Sequence, residues 1–313
     1  MFQFLCTRIL TAIPTLFLVM ILVFLLTRMV PGDPALLMLG DMASEQTLAD
    51  LRHTMGLDQS LVSQFVIWFS HIFQGDFGHS IQNGQAVLPL ILQRFSVTLS
   101  VVLAAIVIAS LLAVPAGMLA AWKQNSRLDI GVVTAATLLL SIPSFWMGLL
   151  ILMAFGLQLG WLPVVGYVSV ADNFEKGMLY LLMPVATLVL VEVGALVRMM
   201  RASTLEVLRL DYVSHARAKG LRERTVLSRH VFPNAFGPTW TLIGLTMGHL
   251  LSGVAVTETV FSLPGLGRLL VDAIYARDYP VIQGCMLFIA ALYVLINLTV
   301  DALYPLFNPR VTA

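Results

Sequence analysis

The chain has 313 residues, of which 58% are hydrophobic and 11% are charged, and its mean hydropathy is +0.89. Soluble domains carry about 25% charged residues, so this composition excludes an ordinary soluble protein and indicates one that crosses a membrane several times. The net charge of +1 points to no partner, and no nucleic acid is expected as one. Cys6 and Cys285 lie in apolar runs without metal-ligand spacing, so neither a disulfide nor a metal site is predicted.

Six apolar stretches are long enough to cross a bilayer as helices, which takes about 20 residues each. They cover residues 9–30, 97–122, 130–158, 179–200, 237–257 and 281–305. With the N-terminus inside, twelve of the eighteen Lys and Arg residues lie on that side of the membrane and six on the other. Because basic residues favour the cytoplasmic side, we expect both termini in the cytoplasm. The predicted fold class is an all-α polytopic membrane protein with six transmembrane helices.

The first external loop, residues 31–95, is long enough to contain helices of its own. Ser44 is a suitable N-cap for a helix that stops near Gly56, and Ser60 is a suitable N-cap for a second helix. The second helix is predicted to be amphipathic and to lie on the membrane surface or against the helix bundle. Packing of the loop and docking of a substrate are both possible roles. The chain therefore divides into residues 1–95, the first membrane helix with this loop, and residues 96–313, a five-helix core.

Two titratable residues fall within the predicted spans. Glu192 lies near the middle of the fourth span, where a carboxylate is costly and rare. It can line a translocation path, form a structural hydrogen bond with a residue such as His249, or be a buried neutral acid. His249 can likewise be a core histidine with its hydrogen bonds satisfied. In the fifth span, the spacing of Gly244 and Gly248 predicts close packing of one helix against another.

The chain lacks the motifs that would indicate chemistry of its own. It has no GxxxxGK[ST] phosphate loop, no HExxH or GxSxG motif, and no Cys/His cluster with metal-ligand spacing. We therefore expect no catalytic residue, no metal site and no cofactor in this chain. The energy for its work is expected to come from another protein.

The stretch from Arg209 to Asn234 carries six of the eighteen Lys and Arg residues and is predicted to form two short helices. Asp211 is a suitable N-cap, residues 212–219 can form about two turns, and Gly220 suits the left-handed position after a helix. A second helix is predicted over residues 222–230. Isolated helices shorter than about 12–15 residues are marginal in water. The stretch is therefore either a basic loop that only sets the membrane orientation or an element that docks on something else.

This stretch resembles the cytoplasmic loop by which permeases of type I ABC importers insert into their ATP-binding subunits. Ala216, Gly220 and Pro233 fit the general form of that loop. The form typical of peptide and nickel permeases fits better, at Asp211-Tyr212, Ala216-Arg217-Ala218-Lys219-Gly220-Leu221, Arg229-His230 and Asn234-Ala235. Motifs along the rest of the chain resemble the same branch, namely Pro31-Gly32-Asp33-Pro34, Gly56-Leu57-Asp58, Gly75-Asp76-Phe77-Gly78, Arg94 with Thr98-Leu99, Leu162-Pro163 with Gly166, Pro264-Gly265-Leu266-Gly267, Arg277-Asp278-Tyr279-Pro280-Val281 and Asn308-Pro309-Arg310.

The resemblance implies the transmembrane domain of a type I ABC importer, with a coupling helix at residues 211–220 that docks on an ATPase. The residues implied in coupling are Asp211, Tyr212, Ala216, Arg217, Ala218, Lys219, Gly220 and Leu221. Of these, Arg217 and Lys219 are expected to meet acidic or carbonyl groups of the ATPase. The implied partners are a second homologous permease, two ATP-binding subunits that hold ATP and Mg²⁺, an extracytoplasmic substrate-binding protein and the lipid of the cytoplasmic (inner) membrane. The chain itself would be a translocating subunit and not an enzyme.

The resemblance also implies the class of cargo. Peptides are the commonest cargo of this family, so a di- or oligopeptide or a glutathione-like small peptide is expected. Import of nickel or of a metal chelate by the same machinery is the alternative. From a different class, an ion-coupled secondary transporter would use Glu192 and His249 as a proton relay, although the inverted repeats of such folds are not visible in this sequence.

Overall fold

The computed structural model describes residues 2–29, 34–39, 44–54 and 56–306, and these form helices joined by short loops. In chain order the helices are α1 (Phe2–Met29), α2 (Pro34–Leu39), α3 (Glu45–Thr54), α4 (Leu61–Phe73), α5 (Val87–Trp122), α6 (Arg127–Ser141), α7 (Ser144–Ile151), α8 (Phe174–Leu208), α9 (Asp211–Ala218), α10 (Glu223–Thr225), α11 (Phe232–Gly253), α12 (Ala255–Val260), α13 (Leu266–Ala276) and α14 (Tyr279–Leu303). Segments of π-helix at Leu152–Gln158 and Val226–Val231 extend α7 and precede α11. A 3₁₀ turn, Tyr304–Leu306, follows α14. The motifs at residues 31–33 and 308–310 lie outside the described residues.

The all-α polytopic fold class is confirmed. Four helices are long and apolar enough to cross a membrane: α1, α5, α8 and α14. The bent pair 127–141 and 144–158 passes the same test when it is counted as one span. The helix α11 covers much of the predicted fifth span but is not among these candidates. The number of six spans therefore stays a prediction.

The predicted third span is not one continuous helix. α6 ends at Ser141 and α7 begins at Ser144, and the two parts are bent by 98°. Ile142 has an extended conformation directly before Pro143. A proline disfavours the helical conformation in the residue before it and removes a backbone donor, so the helix breaks at this point. The expectation of a single unbroken helix over residues 130–158 is wrong.

α8 is the central helix, and its neighbours approach it closely at glycines. A Cβ atom on Gly117 of α5 would lie 2.7 Å from the backbone oxygen of Val197 in α8. A Cβ atom on Gly194 of α8 would lie 2.5 Å from the backbone oxygen of Ala136 in α6. The main core surrounds these contacts and includes the buried residues Val101, Ala105, Ala109, Leu188 and Leu196. Because small residues allow this close approach, α8 is packed tightly on several sides.

Gly244 and Gly248 lie where α11 packs on α14. A Cβ atom on Gly248 would lie 2.8 Å from ring carbons of Tyr293, and one on Gly244 would overlap the side chain of Val300. The indole Nε1 of Trp240 also donates to the backbone oxygen of Val300 at 3.2 Å. Two glycines one turn apart thus leave space for two larger side chains of the facing helix.

The first external loop contains α3 and α4, each preceded by a serine. Ser44 Oγ accepts a hydrogen bond from the backbone N–H of Thr47 at 3.1 Å, and Ser60 Oγ accepts one from Ser63 at 3.3 Å. These bonds satisfy N–H groups that have no partner inside a helix. The capping residues are therefore the ones that the sequence indicates.

Aromatic contacts place α4 against α1. The ring of Phe65 lies 5.3 Å from that of Phe24, and the ring of Phe69 lies 6.0 Å from that of Phe17, both edge to face. Edge-to-face pairs at this distance are favourable beyond the area they bury. This amphipathic helix therefore packs against the bundle, which is one of its two predicted placements.

Candidate coupling and translocation site

The short helix α9 begins at Asp211, one residue earlier than predicted. Its N-cap is Leu210, and Asp211 is the first helical residue, without a side-chain capping bond. The prediction that Asp211 is the N-cap is therefore wrong. In the first turn its carboxylate still lies near the positive end of the helix dipole, where a negative charge is favourable.

Gly220 follows the end of α9 in the left-handed conformation, with φ of +77°. The N–H of Gly220 donates to the carbonyl of Arg217 at 2.9 Å, and the N–H of Leu221 donates to that of Ala216 at 3.4 Å. This is the bond pattern of a left-handed helix end, in which glycine avoids the steric penalty of a side chain. Gly220 therefore turns the chain sharply after α9.

α9 has one face buried in this chain and another face exposed. Val213 is 0% exposed and Ala216 is 6% exposed. They pack in a cluster with residues of the last turns of α8, the π-helical segment and the first turn of α11, namely Met200, Val207, Val226, Leu227, Val231 and Ala235. The exposed residues of the helix are Asp211, Tyr212, Ser214, His215, Arg217 and Ala218. Ala216 thus faces its own chain, whereas Ala218 faces outward.

Arg217 has a partner inside this chain. Its Nε and Nη2 donate to the two carboxylate oxygens of Glu223 at 2.7 and 3.2 Å. If Arg217 binds an acidic group of another protein as expected, it must either leave Glu223 or bind both carboxylates at once. Lys219 is exposed and forms no ion pair with any described residue.

The segment after α9 leads directly into α11. The predicted second helix, residues 222–230, consists of the three residues of α10 and most of the π-helical segment, which continues into α11 without a break. Pro233 lies at the start of α11, directly after the π-helical segment. The hydroxyl of Tyr212 donates to the backbone oxygen of His230 at 3.3 Å, which links α9 to this segment.

α8 carries α9 at its end. It has 35 residues, which corresponds to about 50 Å at 1.5 Å per residue, longer than the roughly 30 Å of a bilayer's hydrocarbon core. Only two residues separate its last residue, Leu208, from α9. α8 is therefore longer than one crossing of the hydrocarbon core requires, and α9 follows directly after its last turn.

An ion pair that sequence analysis missed holds the end of α8. Arg201 Nε and Nη2 donate to the two carboxylate oxygens of Asp129 at 2.6 and 2.7 Å. The backbone N–H of Asn125 donates to the same carboxylate at 2.9 Å, and the side chain of Asp129 is 4% exposed. The bidentate geometry is the strongest arrangement for this pair of groups. It fastens the first turn of α6 to α8.

Glu192 lies on α8, the helix that precedes α9, and His249 lies on α11, the long helix that follows it. Glu192 is half-buried on α8, and His249 is exposed on α11. They are close enough for an electrostatic interaction. No described residue forms a hydrogen bond with the carboxylate of Glu192, so the structural hydrogen bond considered above has no support in this part of the chain.

Comparison with known proteins decides the family. Residues 113–313 match the family described as "Binding-protein-dependent transport system inner membrane component", and residues 1–102 match its companion, "Binding-prot-dependent transport system membrane comp, N-term". The chain belongs to this family of ABC-transporter permeases. It is therefore a multi-pass inner-membrane permease subunit, as its motifs indicate.

Relatives match this permease over nearly their whole length. A putative peptide transport system permease protein of Brucella suis is 43% identical over 304 residues, which is 97% of each chain. The glutathione transport system permease protein GsiC of Escherichia coli K12 is 42% identical over 311 residues, 99% of each chain. The di/tripeptide transport system permease protein DppB of Pseudomonas aeruginosa is 38% identical over 332 residues, again 99% of each chain.

The permease has a buried carboxylate at the opposite end of the bundle from α9. Glu258 is 0% exposed and accepts hydrogen bonds from Thr98 Oγ1 at 2.5 Å and from the backbone N–H of Arg268 at 2.8 Å. Thr98 Oγ1 in turn accepts from the backbone N–H of Leu266 at 2.8 Å. These bonds cap the start of α13 and fasten it to α5. Glu258 follows the predicted fifth span by one residue, so it was not recognised as a buried charge from the sequence.

Proposed function

We propose that this permease is the translocating subunit of an ATP-driven importer of di- and oligopeptides, including glutathione-like small peptides. The three relatives described above are named for transport of peptides or glutathione and match the chain almost from end to end. None of those three is named for nickel. The peptide reading is therefore better supported than import of nickel or a metal chelate.

The observation that carries the coupling role is the position of α9. Val213 and Ala216 fix one face of α9 on the joined ends of α8 and α11, and the opposite face is exposed. A helix of eight residues is too short to be stable alone, so α9 depends on the packing of these two side chains. Its exposed face, with Lys219 beyond its end, is the surface that we assign to an ATP-binding subunit.

A movement of α9 would be transmitted to the translocation path by α8 and α11, the two long helices to which α9 is linked. The apolar cluster and the bond from Tyr212 to His230 link α9 to both α8 and α11. Glu192 and His249 lie on those same helices, so a shift of one helix against the other changes what the pair faces. We assign these two residues to the translocation path.

In this proposal, the other subunits of the transporter are partner proteins. ATP and Mg²⁺ are held and hydrolysed by two ATP-binding subunits, a second homologous permease completes the path, and a substrate-binding protein delivers the cargo outside. The bias of basic residues supports a cytoplasmic position for α9 and for both termini.

Peptide uptake by the purified complex tests this function. In proteoliposomes with Mg²⁺-ATP enclosed and the binding protein added outside, labelled dipeptide should accumulate in the lumen. It should not accumulate with a non-hydrolysable ATP analogue, and a protonophore should leave the ATP-driven uptake unchanged. Uptake that needs a proton gradient instead of ATP would support a secondary transporter and overturn the proposal.

A further inference from the structure

A polar cavity of about 460 Å³ lies at the end of the bundle opposite α9. Three segments at or beyond the ends of the predicted spans form it: the first turns of α5, the loop before α8 and the turn before α13. The residues that matter for its chemistry are Gln93, Arg94, Ser96, Tyr167, Asp172 and Pro264. Ligand cavities in proteins have volumes of about 300–1,000 Å³, so this one is large enough for a small molecule.

Arg94 is the cation of this cavity, and it has no partner among the described residues. Its Nε is buried without a hydrogen-bond acceptor, and no described carboxylate forms an ion pair with its guanidinium. The buried Nε has lost hydration without gaining an acceptor, which costs free energy. Its planar fork of N–H groups is complementary to the two oxygens of a carboxylate.

A second donor and an opposite charge complete the cavity. Tyr167 lines the same cavity, where its phenol interacts with the side chain of Ser169, and a neutral phenolic hydroxyl can donate a hydrogen bond. Asp172 is exposed in the same cavity and forms no ion pair within the described part of the chain. A cavity with one unpaired cation and one unpaired anion suits a zwitterion better than a simple anion.

The walls of the cavity are held in place by the network described above. Thr98 follows Arg94 by about one helical turn on α5, and it accepts the N–H of Leu266, two residues after Pro264. Glu258 fixes the hydroxyl of Thr98. The distance between Arg94 and the Pro264 wall is therefore set by buried hydrogen bonds, which preorganises the cavity.

We propose that this cavity receives the terminal carboxylate of a short peptide on the outer side of the permease, with the guanidinium of Arg94 binding both carboxylate oxygens. Tyr167 supplies a further hydrogen bond, and Asp172 attracts a positive group of the same molecule. The inference rests on the proposed peptide cargo, because it assigns a subsite for one end of that cargo.

Direct binding to the permease complex tests this subsite without the binding protein. The purified complex in lipid nanodiscs is titrated with a tripeptide and with its C-terminal amide, and binding is measured by saturation-transfer NMR. We expect the wild type to bind the free acid about tenfold or more tightly than the amide, because a hydrogen-bonded charge pair is lost with the amide. Arg94→Gln should abolish this preference, and Arg94→Lys should restore part of it.

Arg268→Gln is the matched control. It removes the same type of side chain from an external position outside the cavity, where Arg268 Nε lies 3.8 Å from Asp272, and it should keep the preference for the free acid. Equal binding of acid and amide by the wild type, or a preference that persists in Arg94→Gln, would overturn the subsite. If the complex imports peptides but shows either result, the proposed function stands and only this subsite is wrong. If the complex imports no peptide, both the function and the subsite are wrong.

Discussion

Replacing Ala218 with Trp is expected to abolish transport while the permease still inserts and folds. Ala218 lies on the exposed face of α9, and its side chain is not part of the cluster that holds the helix. A large ring at this position therefore meets little in its own chain but blocks the surface assigned to the ATP-binding subunit. Disruption of a central interface contact costs about 2–4 kcal/mol, so peptide uptake should fall roughly 30-fold or more.

Gln124→Trp is the control for this substitution. Gln124 is exposed in the loop between α5 and α6, which the predicted topology places on the same side of the membrane as α9. The same added ring at that site should leave uptake within about twofold of the wild type, as expected for a surface change away from an interface. Immunoblots of membranes should show equal amounts of both variants. Normal uptake by Ala218→Trp would show that the exposed face of α9 does not couple.

Replacing Asp129 with Ala is expected to lower the stability of the folded permease more than either tryptophan substitution does. The substitution removes both acceptors of Arg201 and leaves a guanidinium only partly exposed, with its side chain 24% accessible. Breaking a buried ion pair by removing one partner costs about 3–5 kcal/mol. The variant should be less abundant in membranes and should have a clearly lower apparent Tm in a thermal-aggregation assay of the purified complex.

The double variant Asp129→Leu/Arg201→Met tests whether the loss of stability in Asp129→Ala comes from the unpaired charge of Arg201. Replacing both members of a buried pair by apolar residues is often neutral, because neither charge is then left without a partner. We expect this variant to recover most of the abundance and most of the apparent Tm lost in Asp129→Ala. If the double variant is as unstable as the single one, the ion pair is not what fastens α6 to α8.

Local features of this permease were predictable, because local sequence determines them. The serine caps at Ser44 and Ser60 and the left-handed Gly220 each depend on residues within one helical turn. The family resemblance correctly indicated an ABC-transporter permease. The break before Pro143 follows from local rules for proline, although membrane helices also tolerate proline when neighbours satisfy the freed backbone groups.

The buried polar contacts at the two ends of the bundle could not be predicted from local sequence. Asp129 and Arg201 are 72 residues apart, and Thr98 and Glu258 are 160 residues apart. Helical periodicity relates residues only a few positions apart, so it gives no sign of pairs that only the packing of distant helices brings together. For the same reason the sequence could not show that Ala216 is buried against its own chain whereas Ala218 is exposed.

Disulfide cross-linking from α9 tests the central claim most directly. In the purified complex, Ser214→Cys places a thiol on the exposed face of α9, and Val213→Cys places one on its buried face as the matched control. With cysteines introduced one at a time on the surface of the ATP-binding subunit, we expect a cross-link from position 214 and none from position 213. Cross-linking that changes on addition of ATP would also show that the contact moves with the nucleotide state. If no cysteine of the ATP-binding subunit cross-links to position 214 in a complex that transports peptide, α9 is not the coupling element.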